Sequence, residues 1–124
     1  MNIPADLKYS TDHEWIKVDG NIATVGITDF AQGQLGDVVY VDIQTEGETL
    51  EKSEVFGAIE AVKTVADALM PVSGKIIEVN ENLESSPESV NKDPYGAGWM
   101  VKIEMSDASE LEELMDAEAY KAIV

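Results

Sequence analysis

The candidate reactive atom of this chain is the side-chain amine of Lys63, which sits at the middle of residues 57–71, GAIEAVKTVADALMP. Few other side chains offer chemistry. Cysteine is absent, so there is no disulfide, no thiolate metal site and no cysteine nucleophile, and any sulfur redox chemistry must arrive on a cofactor. His13 is the only histidine, which removes histidine-rich metal centres and leaves a Ser-His-Asp triad resting on one residue with no nucleophile motif near it. The sequence therefore carries no assembled acid, base, nucleophile or metal site, and it reads as something other than an independent enzyme.

What holds Lys63 is ambiguous on local pattern. Ile59, Val62, Ala66, Leu69 and Met70 recur at helical spacing, and Ala, Glu and Lys favour helix. On that reading Lys63 is a solvated helix-face residue paired with Asp67 one turn on. Against it stands an echo on either side of the stretch. Gly36-Asp37-Val38-Val39-Tyr40-Val41 and Gly74-Lys75-Ile76-Ile77-Glu78-Val79 share the pattern Gly-x-(Val/Ile)-(Val/Ile)-x-Val. Two similar β units flanking a central segment suggest a pseudo-two-fold arrangement in which the segment folds back on itself as a hairpin.

The remaining pattern is mostly β. Residues 15–26, WIKVDGNIATVG, place apolar positions on either side of Asp19-Gly20, a strong hairpin signal. Thr28 or Asp29 can cap a short helix that Gly36 ends. Residues 37–43 read as a strand, Gly47 as a turn, 80–98 as a long surface connection with a helical turn, and 99–103 as another strand. Residues 109–124 open on Ser109-x-x-Glu112, a capping-box pattern, and predict a C-terminal helix bent near Asp116. Six or more short strands with one or two peripheral helices in 124 residues predict one mainly β domain over 1–124, an antiparallel sandwich or partly closed barrel.

The charge narrows the partners. Twenty-five acidic residues against eight basic ones give a formal net charge of -17, and all the basic residues are lysine. A nucleic-acid ligand needs a clustered positive field that this chain lacks, and an anionic membrane surface would repel it. A partner with basic rims would be steered towards it. The opening residues MNIPADLKYS have neither the basic start and apolar core of a signal peptide nor the arginines of a transit peptide, so the expectation is a cytoplasmic protein.

Taken in order, a set of segments resembles the H-protein family of the glycine cleavage system, nearly end to end. They are His13-Glu14-Trp15; Ala23-Thr24-Val25-Gly26-Ile27-Thr28-Asp29 with Ala31-Gln32; Leu35-Gly36-Asp37-Val38-Val39; Ile59-Glu60-x-Val62-Lys63; Pro71-Val72-Ser73-Gly74; and Asn91-x-x-Pro94-Tyr95-Gly96-x-Gly98-Trp99. The resemblance implies a barrel-sandwich hybrid of two antiparallel sheets, with a short helix near 28–35 and a C-terminal helix. It places Lys63 at a hairpin tip, as the covalent attachment point of lipoate. It also implies that Glu60, three residues before the lysine, and Gly74, eleven after it, serve recognition by the lipoate-attaching ligase or transferase. Ala61 and Thr64 depart from the family's common Glu-Ser-Val-Lys-Ala.

The implied function is a lipoyl carrier. The arm takes an aminomethyl group from glycine on a pyridoxal-phosphate glycine decarboxylase, delivers it to a folate-dependent aminomethyltransferase, and is reoxidised by the flavin enzyme dihydrolipoamide dehydrogenase. The protein itself is a shuttle whose chemistry belongs to the cofactor and partners. In the family the loaded arm folds into a surface groove, and the positions matching that groove here are Glu14, Asp67 and Asp12, carboxylates suited to an amine cation. The rival functions are a lipoate donor, relay or scaffold outside glycine cleavage, and a biotin carrier, whose lysine is flanked by methionines where this chain has Val62 and Thr64.

Overall fold

A computed structural model describes all residues, 1–124, as two antiparallel sheets with short helices at their edges. The strands are β1 (Lys8–Tyr9), β2 (Glu14–Asp19), β3 (Ile22–Ile27), β4 (Val38–Asp42), β5 (Thr49–Leu50), β6 (Val55–Ala61), β7 (Val65–Leu69), β8 (Gly74–Val79) and β9 (Val101–Met105). The helices are α1 (Asp29–Leu35), α2 (Asn82–Ser85), α3 (Ser89–Lys92) and α4 (Ala117–Lys121), with a 3-10 segment at Ala108–Glu113. Six strands run in the order β1-β2-β3-β9-β8-β5, and three in the order β4-β6-β7. This is the mainly β, barrel-sandwich architecture that the sequence pattern and the resemblance imply.

The stretch around Lys63 is a hairpin, β6 and β7, and the helical reading of residues 57–71 fails. Ile59 faces Ala66 and Glu60 faces Val65 across the pair, and β6 pairs with β4 on its other side. The reason is non-local. A helix would have set Val62 on the same apolar stripe as Ile59, but Val62 is 76% exposed while Ile59 is 1% exposed, and the backbone groups of β6 are taken by two neighbouring strands. The two copies of the echo lie on either side of this hairpin in different sheets, β4 in the smaller and β8 in the larger.

The first hairpin forms as expected, with Asp19 opposite Ile22 and Gly20 in the left-handed region at φ 60°. Thr28 caps α1 by accepting from the Ala31 N–H at 3.2 Å. Between the sheets, Val25, Phe56, Ile59, Met70, Ile76 and Ile103 are among the buried side chains of the main core. Truncating one of these to alanine would cost about 2–5 kcal/mol.

Three expectations are corrected. Residues 80–98 are not a surface connection, because Leu83 of α2 and Val90 of α3 are core side chains and the buried Asn80 amide donates to the carbonyls of Ala97 and Trp99. The strand expected at 99–103 begins at Val101. The C-terminal helix is only α4; its Asp116 cap lies where the bend was expected, but the Ser109-x-x-Glu112 box does not form. Ser109 instead donates its N–H and hydroxyl to Asp107, and Glu110 is turned to the Ser73 N–H at 2.7 Å and hydroxyl at 3.0 Å. Acids crowd this segment with no base before Lys121, and like charges one turn apart disfavour a continuous helix.

Candidate functional site

Lys63 occupies the tip between β6 and β7. The turn closes through the Ala61 N–H donating to the Thr64 carbonyl at 2.8 Å, and the next amide, Val62 N–H, donates to the Asp37 carbonyl at 3.0 Å. The tip is therefore tied to the segment that follows α1. That segment is itself held by Asn91 of α3, whose side chain donates to the Gly36 carbonyl at 2.8 Å and accepts from the Val38 N–H at 2.9 Å. Lys63 is exposed and forms no ion pair, the three ion pairs of the protein involving Lys52, Lys102 and Lys121. The Asp67 partner expected on the helical reading is absent for the same reason the helix is. An amine so presented, on a rigid support and with no competing carboxylate, is available to a modifying enzyme.

From the flank of the hairpin a groove of ≈ 190 Å³ runs between β6-β7 and α1. Its apolar wall is Ile27, Phe30, Ala31, Leu35, Ile59 and Ala66. Its acidic side brings together Asp12, Glu14 and Asp67, the three carboxylates the sequence singled out, although they come from separate segments. A wall of hydrocarbon closed by carboxylates suits a long aliphatic group with a cationic end. These residues thus fit a cofactor arm attached at Lys63.

Glu14 is the unusual member. It is 2% exposed at the start of β2, with Ser10 donating its hydroxyl to Oε1 at 2.8 Å and Leu69 donating its N–H to Oε2 at 3.1 Å. No cation forms an ion pair with it. Burial pushes its carboxyl up to about 8, opposed by those two hydrogen bonds and reinforced by the neighbouring Asp12 charge. Burial favours the protonated form of this carboxyl, and a cation placed beside it in the groove would favour the ionised form.

His13 also lines the groove. Its backbone is left-handed at φ 66°, fixed by its N–H donating to the Ser10 carbonyl at 3.1 Å and its own carbonyl accepting from the Thr28 N–H at 3.0 Å. Its Nδ1 lies 2.8 Å from the Tyr120 hydroxyl, which lies 2.7 Å from the Thr28 hydroxyl, and its ring meets Phe30 at 4.8 Å between centroids. Tyr120, from α4, also stacks on Tyr9, and its contact with His13, which lines the groove, ties α4 to the site. Sequence reasoning missed Tyr120 as a support of the site. Nothing in the local pattern of the tail marks it, because its partners lie 92 and 107 positions away.

Glu60 lies beside the tip, partly exposed, at a position an approaching enzyme can reach. Gly74 does not. It is buried in β8, and a Cβ there would strike the Glu104 carbonyl oxygen and meet the Ile103 side chain at 2.6 Å.

Comparison with known proteins agrees with this geometry. The family model described as "Glycine cleavage H-protein" matches residues 7–124. A protein of Bacteroides thetaiotaomicron named glycine cleavage system H protein is 62% identical over 124 residues, covering 100% of this chain and 98% of the relative. One of the same name from Symbiobacterium thermophilum is 60% identical over 121 residues, covering 98% and 94%. A crystal structure of a glycine cleavage system H protein from Mycobacterium marinum superposes with a TM-score of 0.89 at 38% identity, covering 98% of both chains.

Proposed function

Because the chain belongs to the glycine cleavage H-protein family, and so is a lipoyl carrier of the glycine cleavage system, we propose that Lys63 is the lysine that bears its lipoate and that the groove lined by Asp12, Glu14 and Asp67 receives the loaded arm. The observation that carries this reading is the joining of the two features on one hairpin. The exposed amine stands at the tip of β6-β7, and Ile59, Ala66 and Asp67 of the same two strands line the groove. The bound cofactor supplies a reducible disulfide, which this cysteine-free chain cannot.

The residues divide the work. The Val62–Asp37 and Ala61–Thr64 hydrogen bonds hold the tip at a fixed place, which gives each partner a high effective concentration of the arm. Glu60 beside the tip meets the attaching enzyme. Gly74 serves attachment only at second hand, by letting β8 close against β9 and so setting the sheet beneath the hairpin. Ile27, Phe30, Leu35 and Ile59 keep water from the arm, and Glu14 and Asp67 hold its amine end, with Asp12 as a third carboxylate. The chain acts as a carrier rather than as a catalyst. Its partners within glycine cleavage are a pyridoxal-phosphate decarboxylase, a folate-dependent aminomethyltransferase and dihydrolipoamide dehydrogenase. The acidic surface, at a net charge of -17, favours basic rims on each of them.

Intact mass of protein from a lipoate-replete host tests the attachment. The wild type carries one lipoyl increment and Lys63→Arg carries none; an unmodified wild type, or an increment that survives in the variant, overturns it. Glu14→Gln combined with Asp67→Asn tests the groove. The double variant sheds its cargo as formaldehyde faster than wild type, and equal rates would mean that these carboxylates do not hold the amine.

A further inference from the structure

The Lys63 side chain does not stand straight out from its tip. A Cβ placed on Gly36 would lie 3.4 Å from Lys63 Cε and 3.8 Å from both Cδ and Nζ, so the stem of the lysine lies back across this glycine. Gly36 ends α1 at φ 78°, ψ -154°, a backbone conformation that disfavours any residue with a side chain. The groove begins one residue earlier, at Leu35 and Gln34. The Val62 N–H bond to Asp37 keeps the tip next to this crossing, and Asn91 grips the Gly36 carbonyl from below.

We propose that Gly36 is a positioning residue for the arm: the bare backbone at the end of α1 is the saddle over which the modified Lys63 passes from the hairpin tip into the groove. The inference rests on the attachment and groove readings above and adds the path between them. A side chain longer than a methyl at position 36 would point into the volume the lysine stem occupies. The arm would then stay attached and mobile but would dock poorly. Attachment and reoxidation, which act on the extended arm, would be spared.

Gly36→Ala and Gly36→Leu separate the two roles of the glycine. Both force a side chain onto the same left-handed backbone, so both lower the melting temperature to a similar extent. Only leucine reaches past ordinary contact with the lysine stem, since the alanine Cβ would sit at 3.4 Å. The readout is alkylation of the free arm thiol by iodoacetamide in lipoylated, cargo-bearing protein, followed by intact mass. With no cysteine in the chain, thiol alkylation reports the arm. The wild type and Gly36→Ala react slowly, and Gly36→Leu reacts faster by about tenfold or more, the size expected of an overpacked contact. All three carry the same lipoyl increment.

A protected wild type with an equally protected leucine variant overturns the saddle and leaves the groove standing. So does an alanine variant as reactive as the leucine one, which would assign the effect to backbone strain. A wild type as reactive as cargo-bearing free lipoamide overturns the groove reading and the saddle with it. Should the leucine variant fail to fold, the amide resonance of Gly36 in the wild type decides: it shifts when the arm takes up its cargo, and an unmoved resonance refutes the crossing.

Discussion

Replacing Glu14 by glutamine should stabilise the unloaded protein, and increasingly so as pH rises. The carboxyl titrates at about 8 in the folded chain against an ordinary value of 4.5. Between those two pH values the native state holds a proton that the unfolded state has lost, so stability declines as pH rises through the interval. The contribution is fully present below 4.5 and gone once pH passes about 8. That interval, at about 1.4 kcal/mol per pH unit, bounds the loss at about 5 kcal/mol. The groove beside Glu14 is open to water, so an effect of about 2–4 kcal/mol is the working figure.

Glutamine mimics the protonated carboxyl. Its oxygen can accept from the Leu69 N–H, its amide can donate to the Ser10 hydroxyl, and no charge is left to bury. Urea melts of both proteins at pH 4.5, 6, 7.5 and 9 provide the test. Groups that the substitution leaves in unchanged surroundings contribute equally to both proteins and cancel in the difference. The two should agree within about 0.5 kcal/mol at the lowest pH. The variant should lead by about 2–4 kcal/mol at the highest, or roughly 8–16 °C in melting temperature for a chain of this size. A difference that stays flat with pH, or a variant weaker than wild type at pH 9, would refute the reasoning.

Gly74→Ala drives a methyl into the Glu104 carbonyl and Ile103, so thermal melts should show a loss of about 1–3 kcal/mol, and lipoylation should fall only in proportion to the folded fraction. Tyr120→Phe removes the hydroxyl shared by His13 and Thr28 and should cost about 1–3 kcal/mol by urea denaturation, with faster cargo release as α1 and His13 loosen. Lys63→Arg changes an exposed, unpaired side chain, and its melting temperature should match that of the unmodified wild type within about 0.5 kcal/mol of stability.

What the sequence made legible tracks the range over which each residue acts. The β2-β3 turn and the Thr28 cap are settled within three or four residues, and pattern alone finds them. The Lys63 hairpin is settled by β4, which lies upstream of the β6 residues it pairs with and outside the local stretch, so local propensity chose a helix while the echo around it pointed the right way. The tail failed for the same reason in reverse. Ser109 and Glu112 have the right spacing for a cap, but Asp107 and the distant Ser73 take the neighbouring donors and acceptors first. In the site, resemblance reaches Glu14 and Asp67, whereas Gly36 reads only as a helix end and a motif position, Asn91 only as part of a matching segment, and Tyr120 not at all. Each acts by contact with a residue far along the chain, and none has a side-chain type that announces chemistry.

The buried carboxyl and the bare glycine answer one physical problem from opposite ends. A carrier must hold its arm between partners yet release it to each of them, so docking has to be favourable only when cargo is aboard. Gly36 leaves the path open whether or not the arm is loaded, because it offers no contact beyond van der Waals touch. On the proposed docking Glu14 makes the difference: without a cation it is a neutral or poorly solvated group that gains little from the arm, and with an ammonium beside it the buried charge becomes paired. If Glu14 holds the amine as proposed, selectivity for the loaded arm resides in a group that weakens the empty fold. A variant that relieves that weakness, as Glu14→Gln does, should therefore lose discrimination between empty and loaded arms as it gains stability.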